Sequence, residues 1–537
     1  MRHWFYGISA VVLALVAIVG LLWSPAWFAL IVVVPVILLG VRDSLQTRRA
    51  VLRNFPVIGH FRYLLEMIRP EINQYFIESN TDGKPFSRSM RSVAYQRAKR
   101  ELQTIPFGTQ KDVYEVGYEW FNHSILATEA AENPRIRIGE GRARMPYDAS
   151  VYNISAMSFG SLSANAIRAL NGGAKIGGFF HNTGEGGISD HHLEHGGDLC
   201  WQIGTGYFGC RNLDGTFNAE EFAKNAARPT VRLIEIKLSQ GAKPGHGGIL
   251  PGKKVTAEIA RIRGVELGKD VLSPPCHSAF HTPRELLEFV DKLRELSGKP
   301  VGFKLCVGHR AEVISICKAM AATGIIPDFI AVDGGEGGTG AAPVEFSDSV
   351  GTPLSDGIVI VHNALEGFGL RQQTKIIASG KIITGFQIAK RIAAGADLCN
   401  SARGFMFSLG CIQALRCNAN DCPVGVATQN ERLSKGLVVS QKTQRVANYH
   451  NATVHAFLET LGAAGLTHPD WLRPWHIRRR VSETETKTYS EIYHFLKRGE
   501  LVGDEVPKEW QRSMAMSSAE SFRPQAEIGQ APKSIAR

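Results

Sequence analysis

The segment "GCIQALRCNANDCPVGVATQ" places Cys411, Cys417 and Cys422 within twelve residues. Thiolates are favoured ligands of iron–sulfur clusters, and closely spaced cysteines on one loop reach several irons of a cubane-like unit. A four-iron cluster takes four ligands, whereas three thiolates suit a three-iron, four-sulfur cluster. Zinc would need a fourth ligand from elsewhere, and burial alone explains one or two cysteines better than three. Pro423 keeps the loop from continuing as helix.

Other residues with chemical potential sit in glycine-rich loops. "ASGKIITG", with Gly380 and Lys381, and "NSARGFM", with Ala402, Arg403 and Gly404, each follow a strand-like run. Their backbone N–H groups could converge on a phosphate, or the glycines simply make tight turns. "VDGGEGGTGAAP", with Gly337 and Gly338, would let a planar ligand lie on backbone, but it lacks the context of a dinucleotide fingerprint. Lys304 interrupts an apolar strand, either snorkelling at its end or aimed inward to stabilise negative charge on a cofactor. Glu185 in "NTGEGG" and Lys243 in "QGAKPG" suit binding and proton transfer to a small acidic substrate, or a structural ion pair. His191, His192 and His195 complete no zinc pattern and read as a solvated loop.

The elements that hold these loops follow from the pattern. Short β-branched runs alternate with glycine loops and amphipathic stretches from about residue 146: "VYNISAM", "GFFHNT", "LCWQIG", "VRLIEIKLS", "PVGFKLCV", "DFIAVDG", "TKIIAS" and "DLCNSA". Eight such strands predict an α/β fold, a (β/α)8 TIM barrel, with a doubly wound open sheet as the alternative. The unusual residues lie at the C-terminal ends of the strands, where barrel enzymes assemble their sites.

The 537-residue chain carries a formal charge of +11, from 61 Lys and Arg against 50 Asp and Glu. "WFYGISAVVLALVAIVGLL" and "AWFALIVVVPVILLGV" hold no charged side chain, and read as an N-terminal transmembrane hairpin rather than a cleaved signal. Arg2, Arg42, Arg48, Arg49 and Arg53 flank it and place both ends on the cytoplasmic side of the inner membrane. The basic balance is thus assigned to a membrane surface and acidic ligands, not to nucleic acid, and the cysteines to a reducing compartment. The expected divisions are a hairpin over 1–42, a helical, basic connection over 43–145, the barrel over 146–465, and an extension over 466–537 whose end, beyond about Val506, is polar enough to be mobile.

The motifs "AMSFGSLSANA", "NTGEGG", "QGAKPGHGGILPGKK", "ARIRG", "SPPCHSAF", "GGTGAAP" and "CIQALRCNANDCPVGVATQ" occur in the order of the flavin domain of the glutamate synthase large subunit, which residues 150–465 resemble. The resemblance implies a (β/α)8 barrel carrying FMN beside a three-iron, four-sulfur cluster on Cys411, Cys417 and Cys422. It implies that reduced flavin passes a hydride to 2-iminoglutarate, formed from 2-oxoglutarate and ammonia, to give L-glutamate. By motif, Met157, Ser158, Lys304, Gly380 and the loop around Arg403 lie along the flavin. Lys243 and Arg263 counter the substrate carboxylates beside Met157, and Glu185 lies near the reacting centre. Electrons are expected from a separate donor, a ferredoxin or a reductase.

The pattern also departs from that family. Its N-terminal amidotransferase is replaced by the hairpin, the glutamine of its "GEGGQLPG" is Ile249, the glutamate of the same motif is His246, and the aspartate of "HDGGTG" is Glu336. The competing expectations are therefore a related flavin enzyme acting on another oxo or imino acid or on a membrane electron partner, and a redox sensor or scaffold without turnover.

Overall fold

A computed structural model describes residues 1–101, 104–129 and 134–523, and divides the chain into two compact units, Met1–Arg88 and Ser89–Arg537. The division falls inside the segment expected as a connection. In the first unit, α1 (Arg2–Leu22) and α2 (Leu30–Leu45) are joined by a short 3-10 turn, Ser24–Ala29. Stretches of 21 and 22 residues are long and apolar enough to cross a bilayer, because α2 runs on past its apolar segment and accommodates Pro35. Small residues let these elements approach closely. The Trp27 indole lies where a Cβ on Gly20 would be, and the Phe5 ring where one on Gly40 would be. A third helix, α3 (Gly59–Ile72), follows.

The second unit is built on a closed parallel barrel of eight strands. They are β1 (Tyr152–Ile154), β2 (His181–Asn182), β3 (Leu199–Ile203), β4 (Val231–Lys237), β5 (Val301–Leu305), β6 (Phe329–Asp333), β7 (Lys375–Ser379) and β8 (Leu398–Ser401), each pairing with its neighbours in sequence and β8 closing on β1. All eight lie within the expected runs. Parallel strands covered on both faces need nearly continuous apolar sequence, which is why these runs were visible.

The barrel interior is less apolar than that pattern implies. Register pairs Gln202 with Glu235, Gly302 with Glu235, and Lys304 with Lys237, so Gln202, Glu235, Lys237 and Lys304 share the inner face. Glu235 is buried and its Oε1 accepts hydrogen bonds from Asn182 Nδ2 at 2.9 Å and Gln202 Nε2 at 2.6 Å. Donors from two neighbouring strands thus compensate a carboxylate that would otherwise be costly to bury.

Helices cover the outside. After β1 comes α5 (Ala164–Gly177), after β6 α6 (Leu354–Gly367), after β7 α7 (Gly385–Ala393) and after β8 α8 (Arg403–Leu409); α4 (Arg88–Lys99) precedes the barrel. The long α9 (Val439–Ala463) packs on α5 and α7. Its Tyr449 hydroxyl meets the Tyr152 hydroxyl of β1 at 2.9 Å, and both reach carbonyls of the loop after β7, Ile383 and Ile382. The polar tail expected to be mobile is ordered in part. Residues Lys508–Met516 form α10, whose Trp510 is buried, and Lys318 Nζ donates to Met514 O and Ser517 O at its end. The remainder, from residue 524, lies outside the described residues.

At the N-terminal end of the strands, Asp328 ties three of them together. Its carboxylate accepts from Arg142 Nε and Arg294 Nε, both at 3.1 Å, and from Val301 N at 2.8 Å, while its carbonyl accepts from Lys375 N. Removing one partner of a buried pair strands the others. Asp328→Ala is expected to destabilise the second unit by about 3 to 5 kcal/mol, measured by denaturant unfolding in detergent.

Candidate active site

The loops after the strands meet at the C-terminal mouth of the barrel. A Cβ on Gly184 would sit 2.9 Å from Ser158 N, so the loops after β1 and β2 touch there. Gly184 also has φ +65°, which glycine adopts without strain. A Cβ on Gly241, after β4, would overlap the Gly334 carbonyl, after β6, and the Asp333 carboxylate accepts from Gly241 N at 2.9 Å.

Glu185 stands in this mouth with Lys237 Nζ 2.9 Å from its carboxylate. Burial alone would raise its pKa. The Lys237 ammonium, helped by Lys243 and Arg263, outweighs burial and lowers it from the ordinary 4.5 to about 2. Burial in turn lowers Lys243 to about 8 and Arg263 to about 10, each partly offset by Glu185. Arg263 donates to Phe159 O at 3.1 Å and lies 5.2 Å over the Phe208 ring, while its buried Nε has no hydrogen-bond partner. Lys304 is buried beside Lys237, and its ammonium has no hydrogen bond or ion pair among the described residues. Lys237, Lys243, Arg263 and Lys304 therefore outnumber Glu185 and the deeper Glu235, which leaves a desolvated excess of positive charge suited to an anionic ligand.

The other expected residues fall around the same mouth. Met157 is buried, its N–H donating to Asn182 O and its carbonyl lying 3.4 Å from His192 Nε2. The Ser158 hydroxyl donates to Ser161 at 3.0 Å. Gly337 N donates to Gly334 O, which folds the glycine loop back on itself. The Arg403 guanidinium fills the place of a Cβ on Gly338. Lys381 has φ +51° in the loop that Gly380 begins, and Ala402 is the N-cap of α8. Gly404 serves packing: a Cβ there would meet the hydroxyls of Tyr449, Ser401 and Tyr152. His191 and His192 are buried under the loop after β2 rather than solvated, because Ser189 caps their short helix and bonds His192 Nδ1 at 2.8 Å; burial lowers His192 to about 4. His195 is exposed, as a solvated loop requires.

The cysteine loop is bent and firmly held. Gln413, Leu415 and Asn420 all have positive φ, rare for residues with side chains and frequent at functional sites. Lys254 is buried and donates to the carbonyls of Ser161, Cys417 and Ala427 at 2.8–3.2 Å. Tyr95 of α4 donates to Cys411 O at 2.6 Å. Burial pushes the Cys411 thiol up to about 12 and raises Cys417. Lys254 and Arg403 act against that rise at Cys417, and Cys411, Cys417 and Cys422 influence one another. Among the described residues no three His, Cys, Asp or Glu side chains converge on a single-ion site.

Residues 110–467 match the family model described as a conserved region in glutamate synthase. The chain belongs to the glutamate synthase family. It is 37% identical over 509 residues to the glutamate synthase large subunit-like protein YerD of Bacillus subtilis, covering 86% of this chain and 97% of that protein. It is 38% identical over 322 residues to the archaeal glutamate synthase (NADPH) of Methanocaldococcus jannaschii, covering 60% of each chain. With the glutamate synthase (NADPH) large chain of Bacillus subtilis the identity is 32% over 290 residues, 53% of this chain and 18% of that protein.

Within this family frame, one sequence departure has a structural role. The Glu336 carboxylate accepts from Leu354 N at 2.9 Å at the start of α6 and lies 3.8 Å from Arg391, so it secures a helix N-terminus. Ile249 pairs with Leu272 in a two-stranded ribbon, and His246 packs edge-on to Phe346 at 5.3 Å. The preceding Gly248 lies against the Glu185 carboxylate.

Sequence reasoning missed Lys237, Glu235 and Lys254. Glu235 and Lys237 stand two apart in "VRLIEIKLS", and that period of two, in a strand otherwise apolar, was the available signal. Nothing local in "PGKKV" marked Lys254, whose partners are remote in sequence.

Two outcomes follow. Lys254→Met leaves three carbonyls without their shared donor, so a loss of about 3 kcal/mol and faster proteolysis within residues 411–429 are expected, read by thermal unfolding and mass mapping. The folded pKa of Glu185 is depressed, so its contribution to stability is complete above about 4.5 and is lost as pH falls toward 2. The stability gap between the natural chain and Glu185→Gln, measured by denaturant unfolding, should therefore narrow across that interval.

Proposed function

We propose that this chain is a flavin and iron–sulfur oxidoreductase of the glutamate synthase type, which reductively aminates 2-oxoglutarate, through 2-iminoglutarate, to L-glutamate. The observation that carries this reading is the excess of buried cations around Glu185 beside a glycine cradle, in a chain of this family. FMN suits the cradle: the Lys304 ammonium and the buried, unpartnered Gln240 Nε2 are unmet donors, and Gly241, Gly334 and Gly337 bring bare backbone together. Met157, Ser158, Lys304, Gly337, Gly338, Gly380, Lys381, Ala402, Arg403 and Gly404 would hold it. Cys411, Cys417 and Cys422 would hold a three-iron, four-sulfur cluster, a larger body than one ion, with Lys254 and Arg403 offsetting thiolate charge. When bound, FMN supplies the hydride and the cluster relays electrons from a separate donor, a ferredoxin or a reductase.

The chain's own residues bind and orient. Lys243 and Arg263 face the two carboxylates of the oxo acid, and their desolvation strengthens that attraction. Glu185 is ionised, so it receives or positions the cationic nitrogen rather than donating a proton. Lys237 fixes that carboxylate, and Lys243, lowered to about 8, is the group poised to exchange a proton near neutrality. The α1–α2 pair is read as an anchor that keeps this site on the cytoplasmic face of the membrane.

A second reading keeps the cofactors and changes the substrate to another oxo or imino acid. It is favoured by the apolar Ile249 directly after Gly248, which touches Glu185.

The test is an anaerobic absorption spectrum of the detergent-purified chain with released flavin identified, followed by a glutamate assay with 2-oxoglutarate, ammonia and several reduced donors. FMN with iron and sulfide at about three and four per chain, and glutamate formed, are expected. Cofactors without glutamate would move the reading to another substrate, and a colourless chain that cannot be reconstituted would move it to a scaffold. Glu185→Gln should lower kcat by about 10² to 10³, Lys243→Met should raise KM and lower kcat together, and Cys417→Ser should lose iron; unchanged iron content would refute the ligand assignment.

A further inference from the structure

The first unit carries an apolar surface that neither the proposed anchor nor the redox chemistry uses. Helix α3 and the turn that continues it, Asn73–Ile77, expose Phe61, Leu65, Ile68, Ile72 and Phe76. These residues follow the spacing i, i+4, i+7, i+11, i+15, which is one helical face. The adjoining flank, one residue on at each turn, carries Arg62, Glu66 and Arg69, with Arg62 and Glu66 paired at 2.9 Å.

The start of α3 is fixed to the open end of the hairpin. Asp43, buried near the end of α2, accepts from Val57 N at 3.0 Å and faces His60 Nε2 at 2.9 Å. Phe55–Ile58 share an apolar pocket of about 310 Å³ with Trp4, Phe5 and Val36, at the same end. An open groove of about 670 Å³ then runs beside α3, floored by Val51, Phe55, Leu65 and Ile72 and edged by Arg62 and Arg69. Arg49 lies 4.5 Å over the Tyr63 ring, and Arg48 and Arg53 belong to the same stretch of sequence between α2 and α3.

We propose that α3 is an interfacial helix: its Phe61–Leu65–Ile68–Ile72 face lies in the acyl boundary of the leaflet at the hairpin's open end, and its arginines recognise anionic phospholipid headgroups. An apolar face flanked by arginines, tethered where the hairpin leaves the membrane, matches that surface in both chemistry and position. The inference rests on reading α1 and α2 as a membrane anchor, and the experiment separates the two.

The full chain is reconstituted into vesicles of brominated phosphatidylcholine with and without phosphatidylglycerol, and tryptophan quenching is compared for the natural chain, Phe61→Trp, Ile68→Trp and Glu66→Trp. Phe61 and Ile68 both reach the surface of the unit, so each can be replaced by tryptophan without burying a new side chain. With phosphatidylglycerol present, the added signal at 61 and 68 should be quenched at least about twofold more than that at 66. The difference should shrink in pure phosphatidylcholine, at high salt, and in Arg62→Glu/Arg69→Glu. Quenching of the natural chain, which carries Trp4, Trp23 and Trp27 in the hairpin, reports the anchor independently. If those are quenched while positions 61 and 68 match 66, the anchor stands and the interfacial helix is overturned. Shielding of 61 and 68 from both bromolipid and aqueous iodide would overturn it in favour of a protein partner or second copy. Equal quenching with and without phosphatidylglycerol would overturn the anionic recognition. Unquenched hairpin tryptophans would overturn the anchor and this inference together.

Discussion

Charge that has been taken out of water must be answered nearby, and the second unit is organised around that requirement. Lys237 reaches into the barrel mouth from the end of β4, and the Glu185 carboxylate meets it at 2.9 Å. Glu185, even with Glu235 deeper in the barrel, cannot answer Lys243, Arg263 and Lys304 as well. The mouth therefore holds a standing demand for anions, and a ligand with two carboxylates or a phosphate would satisfy it at no further cost of desolvating the protein. Lower in the barrel the same requirement is met internally, where Asn182 and Gln202 serve Glu235.

The architecture was legible because eight parallel strands, buried on both faces, must be apolar almost throughout. Even the two-residue β2 could be placed, since "GFFHNT" sits between a helix and a glycine turn. Lys304 stood out as a lone cation in an apolar strand. Lys237 did not, although it occupies the equivalent position on the neighbouring strand, because a lysine at a strand end reads as solvent-facing until the register is known. The histidines after β2 were misread for a related reason: nothing in "SDHHLEHGGD" tells that Ser189 turns two of them under the loop. Glu336 stood out in the sequence only as a replacement for the family's aspartate, and only the fold shows that it secures the start of α6.

The cysteine loop is not an appendage of β8. Lys254 joins it to the loops after β1 and β4, and Gln429 Nε2 donates to Gly160 O and Leu162 O. Arg403 lies between Gly338 and the thiols of Cys411 and Cys417. A shift of any one of these loops is therefore felt at the others, and the arrangement of the three thiols is fixed by hydrogen bonds to backbone carbonyls around them.

Tyr95 gives this coupling a practical side. Its hydroxyl supports the Cys411 carbonyl from α4, and Asn448 of α9 donates to Ala98 O on the same helix. The composition shift near residue 146 invites the removal of everything before it as a way to obtain a water-soluble catalytic piece. Such a cut would discard the strut under the cysteine loop along with the apolar hairpin, so a shortened chain meant to keep that loop in place has to begin ahead of Ser89.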